Sequence, residues 1–201
     1  DNGVTGDGTQ QLALALGATA GSLEELSLSH NALAERGSLV LADALQCNRS
    51  LRALNLVGCQ LGDGGALLLA DALRANDRLE TLDLSTNSLG RCGAGAFGTV
   101  LPANRSLRRL RLHQNQIGAG GARELAAGLR DNRGLEALDV AENGIGDDGA
   151  WAFAMALRSN PSLRSLSIDG NGVGETAALC FVETLMENRT LVELVALLDS
   201  N

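Results

Sequence analysis

Aromatic residues are scarce in this chain of 201 residues, which contains one Trp, three Phe and no Tyr, although 45% of its residues are hydrophobic. We therefore expect a core of aliphatic side chains. Long apolar runs are also missing, because no stretch of about twenty consecutive apolar residues occurs, and a membrane-spanning helix needs such a run. The sequence predicts no membrane partner.

Positive charge is in deficit as well. The 16 Lys and Arg residues against 24 Asp and Glu residues give a formal net charge of -8. Attraction to the phosphates of nucleic acids depends on basic surfaces, so we predict no nucleic-acid partner.

The cysteines follow no pattern that is typical of metal or redox sites. None lies in a C-x-x-C motif or close to a His in the sequence, which argues against a zinc site and against a redox pair. Their even number permits disulfides, but scattered single cysteines fit reduced thiols better, and we expect a cytoplasmic location. The four residues are Cys47, Cys59, Cys92 and Cys180.

A repeat of 28 residues dominates the chain. The motif Leu-x-x-Leu-x-Leu, or a close variant, begins at Leu23, Leu51, Leu79, Leu107, Leu135, Leu163 and Leu191. In the first six copies an Asn or Cys follows eight residues later, at Asn31, Cys59, Asn87, Asn115, Asn143 and Asn171. A fixed period of this length predicts a solenoid built by stacking one unit, and such arrays usually bind rather than catalyse.

The first half of each repeat has the pattern of a short strand followed by a turn. Leu79, Leu82 and Leu84 alternate with polar residues, which indicates a strand with one buried side. Asn87 lies where the chain turns, and its amide is suited to bond with backbone groups of the turn. Stacked copies of this residue are expected to form an asparagine ladder, with Cys59 as a weaker substitute.

The second half of each repeat has the pattern of a helix. Apolar residues recur four positions apart, as at Phe97 and Leu101, and we expect this pair to face the sheet. An Asn follows each helix, as at Asn104, where we expect it to adopt the left-handed conformation that often ends a helix.

This pattern, for example from Leu79 to Gly90, resembles the ribonuclease-inhibitor-like subfamily of leucine-rich repeats over essentially the whole chain. The resemblance implies an α/β fold, a horseshoe-shaped solenoid with a parallel β-sheet on its concave face and α-helices on its convex face. Members of the subfamily share protein–protein recognition. We expect residues 1–201 to form one domain of about seven repeats, and to belong to a longer chain because the array begins within a repeat.

Two patterns that are typical of enzymes do not indicate an enzyme here. Residues 144–149 read G-x-G-x-x-G, as in dinucleotide-binding loops, but similar residues recur in other repeats. His30 and His113 lie three strands apart, or about 14 Å, which is too far for a shared metal. Since a phosphate-binding loop and a catalytic triad are also missing, we predict no enzymatic activity, cofactor, metal or small-molecule substrate.

Two surfaces are candidates for partner binding. On the concave sheet a basic row is flanked by acids, which either bind a polar partner or simply neutralise Arg111. On the convex side, apolar residues that precede the helix core positions either pack between helices or form an exposed interface. The candidate partner-binding residues are Asp83, Arg109, Arg111, His113, Asp139, Glu142 and, on the convex side, Trp151.

A third surface pattern has a structural interpretation. The residue after the first Leu of the motif alternates in sign along the repeats. Opposite charges on adjacent strands stabilise their pairing by about 0.2–1 kcal/mol. The residues are Glu24, Arg52, Glu80, Arg108, Glu136 and Arg164.

Together these patterns predict a non-catalytic protein–protein interaction module or scaffold, as a component of a larger intracellular assembly. The alternative is a regulatory leucine-rich-repeat domain. It is either the sensor end of a NOD-like receptor, which requires a nucleotide-binding domain elsewhere, or a GTPase-activating protein of the Ran type, which requires an Arg or Asn presented to the GTPase.

Overall fold

The computed structural model describes Gly3, residues 6–17 and residues 22–196. Within these residues, seven α-helices alternate with seven strands of three residues each. The helices are α1 (Gly6–Gly17), α2 (Ala34–Cys47), α3 (Gly62–Ala72), α4 (Arg91–Val100), α5 (Gly118–Asp131), α6 (Gly146–Leu157) and α7 (Glu175–Glu187). The strands are β1 (Glu25–Ser27), β2 (Ala53–Asn55), β3 (Thr81–Asp83), β4 (Arg109–Arg111), β5 (Ala137–Asp139), β6 (Ser165–Ser167) and β7 (Glu193–Val195).

The strands form one parallel sheet in sequence order, from β1 to β7. Each residue pairs with the residue 28 positions later, so that Leu82 lies between Leu54 and Leu110. Each helix from α1 to α6 packs against the next helix in the sequence. The predicted solenoid is confirmed, with the sheet on its concave face and the helices on its convex face, and the sequence period sets the strand register directly.

The core lies between the sheet and the helices and is aliphatic, as predicted. The central Leu of each strand from β2 to β6 is fully buried, and so are the helix residues Phe97 and Leu101. Leu185 on α7 is an exception to the predicted core, because 40% of its surface is exposed. Among the described residues no helix follows α7, whereas each earlier helix packs against its successor.

The predicted asparagine ladder runs along the turns after the strands. Asn87 donates from Nδ2 to the carbonyl oxygens of Leu56 in the preceding repeat and Leu84 in its own, at 2.7 and 3.0 Å. Its Oδ1 accepts a hydrogen bond from the N–H of Cys59 at 2.9 Å. Cys59 takes the Asn position in its repeat, and its thiol donates to the Leu28 oxygen at 3.1 Å. Burial raises the pKa of this thiol above its usual value.

A second asparagine ladder follows the helices, where the sequence-based prediction of a left-handed conformation was wrong. Asn48 has extended backbone, with φ of -69° and ψ of 135°. Asn104 occupies the same position two repeats later. Its Nδ2 donates to the carbonyl oxygen of Leu73 in the preceding repeat at 3.0 Å, and its Oδ1 accepts from the N–H groups of two residues that follow it. The same bonds are made by Asn48, Asn76, Asn132, Asn160 and Asn188.

Helices α4 and α5 approach each other closely enough to touch through their backbones. A Cβ atom added at Gly128 would overlap the carbonyl oxygen of Gly98, and one added at Gly98 would overlap that of Glu124. Because backbone atoms cannot rotate away as side chains can, this contact requires glycine at both positions.

The turns that enter helices α2 to α7 have two forms. In the first form, as at Gly62, φ is +58° and the N–H donates forward to the Asn87 oxygen of the next repeat at 3.0 Å. In the second form, as at Gly90, φ is -99° and the N–H donates backward to the Asp63 carboxylate of the preceding repeat at 2.7 Å. Gly174 has the second form too, and Asp147 is its acceptor.

Candidate functional site on the concave sheet

The first residues of the seven strands form a row across the concave face, which we call the first row. It has an acid at each end, Arg109 at its centre and two small residues between the centre and each end. The strand register gives the order Glu25, Ala53, Thr81, Arg109, Ala137, Ser165 and Glu193. The neighbours of Arg109 in this row, Thr81 on β3 and Ala137 on β5, are smaller than Arg109 and uncharged.

The last residues of the strands form the second row, with Arg111 at its centre between Asp83 and Asp139. Arg111 Nη1 lies 3.5 Å from Asp83 Oδ2. Asp83 Oδ1 also accepts hydrogen bonds from the N–H and hydroxyl of Ser85, at 3.1 and 2.7 Å, and Asp139 Oδ1 accepts from the N–H of Ala141 at 3.0 Å. Both carboxylates thus hold the ends of their own strands, and Asp83 partly neutralises Arg111.

The remaining concave candidates lie just beyond the strands. His113 Nε2 is 3.7 Å from Glu142 Oε1, and the two form an ion pair only when His113 is protonated. The structure therefore brings the six concave candidates together on β3, β4 and β5 and the turns that follow β4 and β5.

The predicted pairing of alternating charges occurs in part. Arg52 pairs with Glu24 at 3.7 Å and also with Glu80, and Arg108 pairs with Glu136 at 3.7 Å. No such pair is formed by Arg164 in the described part of the chain.

The reason for this exception lies in the next repeat. Val192 occupies the position on the following strand where the alternation requires an acid. On the other side of Arg164, Glu136 pairs with Arg108.

Two depressions lie on either side of the arginines of β4. The β4–β7 trough has a volume of about 480 Å³, with walls formed by Arg109, Arg111 and Glu193 and a floor that includes Ala137 and Ser165. The β1–β4 trough is smaller, about 400 Å³, and reaches from Arg111 to Glu25. Arg109 and Arg164 both line the larger trough, both are exposed, and neither makes an ion pair with a residue that the structure describes.

The sequence analysis did not identify Arg164, Glu193 or Glu25 as site residues. Arg164 was assigned to the alternating charges. The sequence does indicate that Arg164 lacks an acid on the following strand, because Val192 occupies that position and breaks the alternation. The two glutamates become visible only when the first residues of all strands are aligned by the 28-residue period.

Trp151 lies on the opposite, convex side and is 54% exposed. Together with Met155 it lines a groove of about 350 Å³ between α5 and α6, whose rim carries Arg123 and Arg130. Each of these arginines pairs with an acid, Arg123 with Asp148 at 3.3 Å and Arg130 with its neighbour Asp131 at 3.3 Å.

The two apolar residues that precede each helix core position differ in their exposure, so one of them fits an exposed interface and the other does not. The first residue is exposed at Leu39, Leu67, Trp151 and Leu179, and the second is partly buried against the hydrophobic core at Val40, Leu68, Ala152 and Cys180.

Two further observations concern other kinds of site. Among the described residues, no group of three or more His, Cys, Asp or Glu side chains is arranged to hold a metal ion. No helix within those residues has the length and apolar character needed to cross a membrane.

The comparisons with known proteins agree with this architecture. A family model described as "Leucine Rich repeat" matches four segments of the chain, at residues 47–70, 103–126, 131–154 and 159–182. No match was found among curated proteins.

Solved structures with the same fold cover most of the chain. One is the actin-binding site 2 of leiomodin-1, with 17% identity and a TM-score of 0.60 over 89% of this chain and 87% of that one. Another is the tropomodulin C-terminal domain of Caenorhabditis elegans, with 14% identity and a TM-score of 0.59 over 90% and 92%. A third comes from the yeast Rad7–Elc1 complex, with 16% identity and a TM-score of 0.60 over 98% and 63%. The chain is a leucine-rich-repeat protein.

Proposed function

We propose that this protein is a non-catalytic interaction module that binds a partner protein in the β4–β7 trough of its concave sheet. The observation that carries the proposal is the pair of exposed arginines, Arg109 and Arg164, which line one trough without ion pairs in the described part of the chain. Arginine is enriched at protein interfaces, where its planar guanidinium binds carboxylates through two hydrogen bonds at once. The partner is therefore expected to present acidic residues.

The proteins with similar structures support the proposal that this protein binds a partner protein. The leiomodin-1 structure is that of an actin-binding site, and the Rad7 structure is that of a complex with Elc1. At identities of 17% and 16% these similarities concern the fold, so neither actin nor Elc1 is proposed as the partner here.

The composition of the concave face indicates a moderate affinity. None of its described residues is Phe, Tyr or Trp, because the three Phe residues are buried in the core and Trp151 lies on the convex side. Aromatic anchors contribute much of the energy of tight interfaces. Binding at the trough is expected to depend strongly on charge and to weaken as the salt concentration rises.

The convex groove is a second candidate, favoured by the exposure of Trp151 next to Met155. An exposed Trp in an apolar groove is typical of an interface within a permanent assembly. On this hypothesis the protein is a structural component of a larger complex and binds through its helices.

Further proposals concern the subfamily and the location. We assign the chain to the ribonuclease-inhibitor-like subfamily because α-helices of 10 to 14 residues line its convex side. A cytoplasmic location is supported by four free cysteines, which a reducing compartment preserves.

Quantitative affinity purification from a cell lysate tests the proposed site with four forms of the protein. They are the wild type, the trough variant Arg109→Gln/Arg164→Gln, the charge-matched control Arg105→Gln/Arg189→Gln, and the convex variant Trp151→Ala. Arg105 and Arg189 are exposed arginines that follow helices and lie outside the trough. Circular dichroism confirms that each variant is folded.

The concave proposal predicts that one set of partners is lost from the trough variant alone. Loss of all specific partners from the Trp151→Ala variant alone contradicts it and favours the convex groove. If a retained partner is a GTPase whose hydrolysis the purified protein accelerates, the regulatory alternative replaces the proposal of a plain interaction module.

A further inference from the structure

We infer that the occupant of the β4–β7 trough is an α-helix that lies along the strands, with acidic residues on one edge and basic residues on the other. This inference rests on the proposed function, because it concerns the same site. It follows from the width of the trough, its floor and the charges of its walls.

The width of the trough matches a helix. Arg109 and Glu193 lie in register on β4 and β7, three strand spacings apart, which corresponds to about 14 Å. An α-helix with its side chains is about 10–12 Å across. The residues of the first row between the walls, Ala137 and Ser165, are small, so a helix can approach the sheet between the two walls.

An extended peptide fits this surface less well. Peptides that add a strand to a sheet need an edge with unpaired N–H and C=O groups. The floor of the trough consists of β5 and β6, which are paired on both sides within the sheet. A helix satisfies its own backbone hydrogen bonds and needs only side-chain contacts with the floor.

The charges of the walls select the edges of the helix. The β4 wall carries Arg109, which makes no ion pair with a described residue, and, two residues on, Arg111, whose only described ion pair is a contact of 3.5 Å with Asp83. Two residues along a strand correspond to about 7 Å, close to the rise of about 6 Å between residues i and i+4 of a helix. Two acids four residues apart therefore match the two arginines.

The opposite wall, on β7, is acidic, and Arg164 lies at the end of the trough where β6 begins. Glu193 is exposed, and one of its carboxylate oxygens accepts a hydrogen bond from the Ser165 hydroxyl at 2.8 Å, which holds the side chain towards the trough. A Lys or Arg on the far edge of the helix meets this carboxylate. Strands of three residues support about two helical turns, so the contact is short.

Titration of labelled protein with defined peptides, followed by NMR, tests the inference. The probe is a stapled helical peptide of about fourteen residues with Glu at positions i and i+4 on one edge, Lys on the opposite edge and Ala between them. A second peptide has the same composition and a central Pro, which prevents helix formation.

We expect the helical peptide to cause saturable chemical-shift changes at Ala137 and Ser165. The affinity for the proline peptide should be at least about tenfold lower. Arg109→Glu should weaken binding by about tenfold or more, and exchange for Lys of the one peptide acid that faces residue 109 should restore it. Glu25→Lys, which changes the wall of the β1–β4 trough, is the matched control and should leave binding unchanged.

Equal binding of both peptides in the trough overturns the helical occupant and leaves the proposed function intact. The absence of saturable shifts at about 1 mM helical peptide has the same meaning, because that concentration detects even weak sites. Shifts confined to α5 and α6 overturn the concave site and with it the proposed function.

Discussion

Asp63 and Gly90, which belong to consecutive repeats, are joined by a hydrogen bond of 2.7 Å from the Gly90 N–H to Asp63 Oδ1. The same oxygen accepts from the N–H of Gly93 at 2.8 Å. One carboxylate of α3 therefore caps the start of α4, where the first N–H groups of a helix lack partners within the helix. An acid at this end also interacts favourably with the helix dipole.

Replacing Asp63 with Ala should destabilise the protein by about 1–2 kcal/mol, the usual cost of losing a capping side chain. Chemical denaturation measures this change, and hydrogen exchange should show faster exchange at Gly90 and Gly93. Asp71→Ala is the control, because Asp71 lies on the same helix and its exposed side chain pairs with Arg74 at 3.1 Å. An equal loss of stability in both variants would show that the cap contributes nothing of its own.

Replacing Asn160 with Ala should cost about 2–4 kcal/mol, because each buried polar group that loses its partner costs about 1–3 kcal/mol. Asn160 donates to the Leu129 oxygen at 2.6 Å and accepts from the N–H groups of Ser162 and Leu163 at 2.9 and 2.8 Å. Unfolding in urea gives the magnitude. The nearby exposed Ser159→Ala variant should remain within about 0.5 kcal/mol of the wild type.

Replacing Cys59 with Asn should stabilise the protein by about 1 kcal/mol, because an amide completes the ladder with stronger hydrogen bonds than a thiol makes. Cys59→Ala removes the bond to Leu28 and should destabilise it. If Cys59→Asn is less stable than Cys59→Ala, the position does not tolerate an amide and the prediction is wrong.

Because of Cys59, we also expect the stability of the protein to depend on pH in the alkaline range. Burial raises the pKa of the Cys59 thiol, so between the pKa of the unfolded chain, about 8.5, and the higher pKa of the native state only the unfolded chain loses the proton. The free energy of unfolding should therefore fall as the pH rises through this range. The difference in stability between Cys59→Asn and the wild type should grow over the same range, and a constant difference would contradict this account.

Replacing Gly128 with Ala should cost about 1–3 kcal/mol, although Ala favours helices, because the added methyl group has no space against Gly98. Thermal unfolding measures the change. Gly17→Ala is the matched control, since no atom of a described residue lies within 4 Å of the added Cβ at that position. A neutral Gly128→Ala would mean that α4 and α5 can separate at little cost.

The sequence predicted the solenoid well because its period is a property of every repeat. Leu82, Leu110 and Leu138 are buried at equivalent positions, and the register between strands equals the repeat length. Where the prediction was wrong, at the Asn residues after the helices, a single-repeat rule had been applied. The helix-terminating conformation of Asn is local, whereas the observed bonds of Asn48 and Asn104 join neighbouring repeats.

The candidate binding surface was harder to predict than the fold. The central position of Arg109 depends on residues up to three repeats away on each side. Arg164 makes no ion pair with a described residue, and this depends on Val192 in the next repeat. Such features belong to comparisons across repeats, and reading each repeat separately does not reveal them. Trp151 was detected as a single unusual residue, but its exposure depends on the packing of α5 against α6.

The asparagine ladders have a mechanical consequence. Each amide after a helix binds one carbonyl of the preceding repeat and two N–H groups of its own connection, so it joins two successive units of the array. Under tension applied to the two ends of the chain, detachment of one repeat would break its amide bonds and expose the face of its neighbour. Extension should then proceed in steps of one repeat, each releasing 28 residues, or about 90–100 Å of contour length.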